Sequence, residues 1–287
     1  MQSFLGETLL FFLGGALGSF LNVIALRYDP EKFLIRKEML FGRSYCPHCR
    51  GKLRWFELVP FLSFLIQRGR CRRCKARLSP QYFLAEVSGG VVLLSVYLRL
   101  GEFPFSLLSG WSVALWSLVF ATLLLITLID IRFHIIPDEA NVLLAVVGLS
   151  IALFAGNVFV GGQGSFVGPY VYLFGYPASI WLNRGLGALL AGAFFGFLVL
   201  ITRGRSMGIG DLKLGVALGV VFGWPDILLI IALGFIFGSI YGLIAIASKK
   251  RSIGSFVPFG PFLALSALVT FLFGEVILRS YFGLIPL

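Results

Sequence analysis

Two aspartates beside long apolar runs are the residues of this sequence that are best suited to chemistry. Asp211 closes a Gly-Ile-Gly-Asp sequence between two apolar runs, and Asp130 ends the apolar run of residues 111–129. An unpaired carboxylate is costly in such surroundings, so ionisable residues there are usually functional. Two close carboxylates do not both ionise readily, and one can then activate water as a base while the other protonates a leaving amide. The pair predicts an aspartic protease at the surface of a bilayer.

The elements that position these aspartates are predicted to be membrane helices. Of the 287 residues, 58% are hydrophobic and only 13% are charged, which is typical of a polytopic membrane protein. A helix that crosses the bilayer needs about 20 apolar residues. We therefore predict an all-α fold with about eight transmembrane helices, of which the fourth and sixth are the shortest. The predicted spans are residues 4–26, 82–98, 107–129, 140–155, 185–202, 212–223, 227–247 and 256–273.

Basic residues predict the orientation of these spans. Residues 27–77 hold 14 of the 24 Lys and Arg residues, and seven more fall in the turns after the third, fifth and seventh spans. Short cytoplasmic loops carry such an excess, so we expect both termini outside and both aspartates at cytoplasmic helix ends. The net charge of +11 then reflects topology and attraction to anionic lipid, and we expect no nucleic-acid partner.

Each aspartate on its own also has an explanation without catalysis. Asp130 could be an interfacial carboxylate that pairs with Arg132. A Gly-x-Gly-Asp sequence is at least as often a tight turn with a capping aspartate as a catalytic motif. The glycines before Asp211 nevertheless let the backbone approach another chain closely. The occurrence of both aspartates at helix ends on one side of the membrane favours catalysis.

All four cysteines lie between the first two spans, as Cys46-x2-Cys49 and Cys71-x2-Cys74. Two such pairs suit four thiolates around a structural Zn²⁺, and four thiolates leave no open position for catalysis. The cytoplasm is reducing, so stable disulfides are not expected there. Four incidental reduced cysteines remain the alternative, and His48 is expected to be a loop side chain. The fold class is therefore an all-α polytopic membrane protein with a small zinc-binding cytoplasmic loop domain.

Several short motifs are spread along most of the chain. They are Gly18-Ser-Phe-Leu-Asn-Val23 with Arg27, Trp55, Pro60, Ser63 and Gly69 around the cysteine pairs, Ile129-Asp-Ile-Arg132, Ile136-Pro-Asp138, and Met207-Gly-Ile-Gly-Asp-Leu-Lys-Leu214. Together these motifs resemble those of the type IV prepilin peptidases, which are bacterial Gly-x-Gly-Asp intramembrane aspartic proteases. Gln81 departs from the family pattern, because many relatives carry arginine there.

The resemblance implies a function and a division of the chain. It implies that Asp130 and Asp211 cut prepilin and pseudopilin precursors of a type IV pilus or type II secretion system, at the cytoplasmic face of the bacterial inner membrane. The expected parts are a first transmembrane helix (1–26), a cytoplasmic four-cysteine zinc loop (27–80), a second helix with an outer loop (81–106) and a six-helix aspartic peptidase core (107–287).

Relatives with the four-cysteine loop are typically bifunctional, so the resemblance also implies methyl transfer from S-adenosylmethionine to the new amino terminus. The sequence lacks a Gly-rich nucleotide fingerprint, and the cofactor-binding residues stay unassigned. Asn22 and Glu86 could form a polar site near the zinc loop, although interfacial residues facing water are the favoured interpretation. Similarly, Asp138 is expected to cap the fourth span, and Lys213 to reach the interface with its ammonium group.

Two other classes of protein compete with the peptidase. A transporter could use Asp130 and Asp211 as ion sites, but we would then expect carboxylates near mid-span and internal repeats. A zinc-dependent scaffold without catalysis would leave the Gly-Ile-Gly-Asp sequence unexplained. The charge-free segment 156–179 is expected to be an outer interfacial loop without assignable chemistry.

Overall fold

The fold is helical in the computed structural model, which describes residues 2–34, 42, 44–100, 107–155, 165–175, 179–205, 207–248 and 257–283. Within these ranges the only β-pairing consists of two isolated bridges in the cysteine loop, so the all-α prediction is confirmed. The long helices are α1 (Gln2–Arg27), α2 (Pro80–Leu100), α3 (Leu107–Phe133), α4 (Asp138–Ala155), α5 (Ile180–Thr202), α6 (Ile209–Phe222), α7 (Asp226–Ala247) and α8 (Gly260–Phe282).

Six of these helices are long and apolar enough to cross a membrane, so the chain is an integral membrane protein. The two described helices that fall short of this criterion are α4 and α6, which were also the shortest predicted spans. The count of eight therefore stays a prediction. The boundaries differ most at α5, which begins at Ile180 rather than residue 185, and at α8, which continues to Phe282 rather than residue 273. Residues 249–256, which include three of the counted basic residues, lie outside the described ranges.

Two compact units divide the chain, Met1–Glu102 and Phe103–Leu287. In the first unit, α1 packs along α2. The contact is close because small residues face each other: a Cβ at Gly18 would overlap the backbone of Ala85, and a Cβ at Gly89 would lie 2.8 Å from the Cα of Gly18. Such contacts are typical of helix pairs in lipid, where close van der Waals packing replaces the hydrophobic effect.

The second unit is built around α6, which packs against α4 and α5. Most of its side chains are buried, including Leu214, Leu218 and Phe222. A largely apolar helix suits such a position. This packing fixes α6 within the unit, and with it Asp211 in its first turn.

A buried polar anchor lies at the other end of α6, where α7 begins. Asp226 is inaccessible to solvent. Its carboxylate accepts hydrogen bonds from the Ser165 hydroxyl at 2.7 Å and from the backbone N–H groups of Phe166 and Val167 at 3.1 and 3.2 Å. The described part of segment 156–179 is therefore tied to α7 by a carboxylate that no sequence motif marked.

Candidate active site and candidate metal centre

Asp130 lies in the last turn of α3, where only 4% of the residue is exposed. Its Oδ2 accepts a hydrogen bond of 3.0 Å from the backbone N–H of Gly260, the first residue of α8. A Cβ at position 260 would lie only 2.7 Å from this oxygen. A side chain at residue 260 would therefore force the Asp130 carboxylate out of this position.

Asp211 is the third residue of α6 and is 8% exposed. Its Oδ2 accepts a hydrogen bond of 3.1 Å from the backbone N–H of Gly208, which satisfies one of the donors that a helix start leaves unpaired. The capped turn that was the alternative to catalysis is therefore present. It occupies one oxygen of the carboxylate and is compatible with chemistry at the other.

The two aspartates are separated by 81 positions, yet they lie near enough for a charge on Asp130 to act on Asp211. The Ile136 side chain lies beside both Gly210, which precedes Asp211, and Gly260, which binds Asp130. A Cβ at Gly210 would lie 3.3 Å from this side chain, and a Cβ at Gly260 would lie 3.4 Å from it. Within the described residues, each carboxylate uses only Oδ2 in a hydrogen bond. The Oδ1 atom of each carboxylate is left for water or a substrate.

An ion pair beside these aspartates was not predicted. The Lys213 ammonium donates to both carboxylate oxygens of Asp138, at 2.7 and 2.8 Å. Asp138 is the first residue of α4 rather than the cap before it, and a negative charge in the first turn favours the helix start. Both side chains are exposed, so the pair contributes about 0–1 kcal/mol to stability. The pair connects the turn after Asp130 to the helix that carries Asp211.

The four cysteines converge in the first unit, as predicted. Their Sγ atoms all lie within 4.8 Å of one another, with Cys46 and Cys74 at 3.9 Å and Cys49 and Cys71 at 4.0 Å. With Zn–S bonds of about 2.3 Å, a tetrahedral site has sulfur–sulfur edges of about 3.8 Å. The thiols therefore fit a structural zinc ion, although the ion itself stays a prediction.

Both cysteine pairs lie in the same type of turn. In the first turn the Arg50 N–H donates to the Cys46 carbonyl at 2.9 Å, and in the second the Lys75 N–H donates to the Cys71 carbonyl at 2.9 Å. Arg50 and Lys75 both have positive φ, of 54° and 60°. His48 is exposed and lies outside the cysteine cluster.

The polar residues beside the zinc loop are buried, so the interpretation that they face water is wrong. Asn22 is 1% exposed and accepts a hydrogen bond from the Gln81 amide at 3.0 Å. Glu86 is 7% exposed and accepts from the Ser19 hydroxyl at 3.0 Å and from the Phe61 backbone N–H at 2.8 Å. These groups satisfy one another rather than lining an open site.

Comparison with known proteins places this geometry in a family. Residues 12–100 match the bacterial peptidase A24 N-terminal domain, and residues 117–243 match the type IV leader peptidase family. A prepilin leader peptidase/N-methyltransferase of Stutzerimonas stutzeri is 31% identical over 287 residues, which cover 94% of this chain and 91% of that protein. This chain belongs to the type IV leader peptidase family. The resemblance noted in the sequence is thereby confirmed.

Other relatives of the family agree. Proteins with the same name from Legionella pneumophila and Aeromonas hydrophila are 30% and 29% identical, over 93% and 96% of this chain and 91% and 93% of their own lengths. The matched segments contain both aspartates and all four cysteines. No solved structure matches the chain. The family gives no support to the transporter or scaffold alternatives.

Proposed function

We propose that this protein is a membrane aspartic endopeptidase that removes the leader from prepilin and pseudopilin precursors and methylates the new amino terminus. The main support for the peptidase is the approach of two buried aspartates, each with one carboxylate oxygen held by a backbone N–H and the other available. Both aspartates lie in the segment that matches the type IV leader peptidase family.

The proposed reaction is hydrolysis without a covalent intermediate. One of Asp130 and Asp211 is ionised and takes a proton from a water molecule, whose oxygen attacks the carbonyl carbon of the scissile peptide bond. The other is protonated and gives its proton to the amide nitrogen, so that the carbon–nitrogen bond breaks. The products are a leader with a free carboxyl terminus and a mature chain with a free amine. The hydrogen bonds from Gly208 and Gly260 hold the two carboxylates in position for this exchange.

The proposed substrate is a pilin-like precursor with a short basic leader, cut after a glycine, and an apolar helix. The distribution of basic residues supports a site at the cytoplasmic face of the bacterial inner membrane. A basic leader gains no electrostatic attraction from the basic loop of residues 27–77. We therefore assign recognition mainly to the apolar helix of the substrate. This helix can lie in the membrane while the scissile bond of the substrate extends past Gly208 and Gly210 of the enzyme.

Methyl transfer requires S-adenosylmethionine, which supplies an electrophilic methyl group when bound. The described polar groups of the first unit do not form a site that fits this cofactor, because Ser19, Asn22, Gln81 and Glu86 engage one another or the backbone. We therefore assign no residue to the cofactor. The proposed second activity rests on the family and on the names of the relatives.

The test is an assay of the purified, lipid-reconstituted protein with a pilin-like precursor, with and without S-adenosylmethionine. Mass spectrometry should detect the mature chain in both cases and a methylated amino terminus only with the cofactor. A protein that leaves the precursor intact would contradict the peptidase. Cleavage without methylation would remove only the second activity.

A further inference from the structure

A short apolar segment lies within the cysteine loop, which is otherwise strongly basic. Residues 55–66 contain only two polar side chains, Glu57 and Ser63. They form a 3-10 helix (Trp55–Leu58) and a short α-helical turn (Leu62–Ile66), and the chain reverses at Phe61, which has a φ of +61°. Twelve residues are too few to cross a membrane, but an apolar stretch of this length is typical of a re-entrant or interfacial segment.

The tip of the segment reaches the middle of α1. Phe61 is 7% exposed, and its ring stacks on Phe11 at 4.9 Å and meets the edge of Phe12 at 5.7 Å. A Cβ at Gly15 would clash with the same ring. Gly15 lies twelve residues before Arg27, the end of α1, which is roughly 18 Å along a helix. Since the hydrocarbon core is about 30 Å thick, the contacts of Phe61 are with the central part of a membrane span.

The backbone at this tip has a protein acceptor. The Phe61 N–H donates to Oε2 of Glu86 at 2.8 Å, and the Ser19 hydroxyl donates to Oε1 at 3.0 Å. Non-helical backbone is tolerated at membrane depth only where its polar groups are satisfied inside the protein or by water. A re-entrant segment thus explains why α2 carries a buried carboxylate six residues after its start at Pro80.

The opposite face of the segment is apolar and exposed. Trp55 and Ile66 are 80% and 78% exposed, and Leu58, Leu62 and Leu65 are also exposed. A soluble surface rarely carries a contiguous apolar patch of this kind, which usually marks a contact with a membrane or a partner. The inner face of the segment is anchored to α1, which is a membrane span. The outer face of the segment therefore meets lipid.

The charges at the two ends of the segment fit a lipid headgroup region. Arg54 precedes the segment, and Arg68 and Arg70 follow it, and all three are exposed. Arginines at this position can bind phosphates while tryptophan occupies the interface. Arg72, from the second cysteine pair, lies 5.4 Å from the ring centroid of Phe56, which keeps this end of the segment near the zinc loop.

From these contacts we infer that Trp55–Ile66 is a re-entrant segment that enters the bilayer and returns on the same side, with its outer face against lipid acyl chains. Glu86 is the positioning residue that holds its tip. Leu62 and Leu65 lie in hydrocarbon, Trp55 lies at the interface, and the cysteine pairs stay outside. The zinc loop is therefore attached to the membrane at a third point, in addition to α1 and α2.

Photocrosslinking of the full-length protein in lipid nanodiscs tests this placement. Benzoylphenylalanine is introduced in place of Leu62, Ile66 or, as a control, Tyr45, which is exposed beside the first cysteine pair. We expect phospholipid adducts from positions 62 and 66 and none above background from position 45. Adducts to the Phe103–Leu287 unit, or a lack of lipid adducts at both positions, would overturn the inference, since the segment would then be covered by protein or water. Zinc content checks that each variant is folded.

The role of Glu86 is tested by hydrogen exchange of the same protein in nanodiscs. The peptide that contains Phe61 should exchange slowly in the wild type and in Glu86→Gln, which keeps an acceptor oxygen, and much faster in Glu86→Ala. Equal protection in Glu86→Ala and the wild type would show that Glu86 does not hold the tip. Fast exchange in the wild type itself would contradict the re-entrant placement.

Discussion

Both compact units contain a buried carboxylate near a helix end, and the difference between them shows which one is suited to chemistry. Glu86 in the first unit has both oxygens occupied, by the Phe61 N–H and the Ser19 hydroxyl. Asp130 and Asp211 in the second unit each use one oxygen for a backbone N–H and lie within electrostatic reach of each other. Burial alone therefore does not distinguish a catalytic carboxylate from one that holds the fold.

Asp226 extends the comparison within the second unit. It is more buried than either proposed catalytic residue, and it accepts hydrogen bonds from one hydroxyl and two backbone N–H groups. We therefore propose that Asp226 serves stability and that Asp130 and Asp211 serve chemistry. Variants of these residues separate the two roles.

The largest effect is expected at the proposed catalytic pair. Asp130→Asn and Asp211→Asn should each reduce cleavage by about 10²–10⁴-fold, because each removes one proton-transfer group. Glu86→Gln is the matched control and should keep cleavage near the wild-type rate. The measurement is the single-turnover rate of precursor cleavage at equal amounts of folded protein in the membrane. Near-normal cleavage by either aspartate variant would remove that residue from the pair.

The next largest effect is expected at the cysteines of the first unit. Removal of zinc, or Cys46→Ser and Cys71→Ser, should impair methylation more than proteolysis, because the cysteines and the aspartates belong to different compact units. Wild-type protein should contain one Zn²⁺ per chain, and its loss should disorder the cysteine loop, since such sites contribute folding free energy.

A precursor that has already been cleaved isolates the methylation step. Asp130→Asn should methylate this peptide like the wild type, while the cysteine variants should not. Failure of Asp130→Asn alone would mean that the two activities are not separable. Wild-type protein that purifies without zinc and with paired disulfides would contradict the metal site and its cytoplasmic placement.

A smaller effect, on stability, is expected at Asp226. Asp226→Ala leaves the Ser165 hydroxyl and the Phe166 N–H without their acceptor, while the Val167 N–H keeps only the Ser165 hydroxyl at 3.3 Å. Each unsatisfied buried group costs about 1–3 kcal/mol. Thermal unfolding of the reconstituted protein should therefore occur at a lower temperature. The exposed hydroxyl of Ser150 offers a control, because Ser150→Ala should leave the unfolding temperature unchanged. An unchanged temperature in Asp226→Ala would show that the buried anchor contributes little.

The smallest effect is expected at the exposed ion pair. Asp138→Asn and Lys213→Met should each keep substantial cleavage activity, because such a pair contributes at most about 1 kcal/mol, roughly fivefold in rate. If the pair acts through its geometry, the exchanged variant Asp138→Lys with Lys213→Asp should recover most of the cleavage activity that the single variants lose. Complete loss of cleavage in Asp138→Asn would instead require a direct role for Asp138.

Patterns local in the sequence predicted much of this structure. Hydropathy placed a helix at every predicted span, and the spacing of Cys46, Cys49, Cys71 and Cys74 predicted a cluster that the thiols form. The basic residues predicted that Asp130 and Asp211 end helices on one side of the membrane, and the two aspartates lie within electrostatic reach of each other. These successes depend on periodicity, spacing and charge, which can all be read along the chain.

Contacts between distant side chains were not predictable in this way. Glu86 binds the Phe61 N–H across 25 positions, and Lys213 pairs with Asp138 across 75. Such partners depend on how helices pack, which a single sequence does not specify. The apolar character of residues 55–66 was visible in the sequence, but the length of the segment was too short to mark it as a span.

A double-variant cycle shows whether the two aspartates act as one proton-sharing pair. The cleavage rates of Asp130→Asn, Asp211→Asn and the variant with both changes are compared with wild type, at equal amounts of folded protein. Residues that act as a unit are strongly non-additive, so the double variant should be no slower than the slower single variant. Rate losses that multiply in the double variant would show that Asp130 and Asp211 contribute independently rather than as one proton-sharing pair.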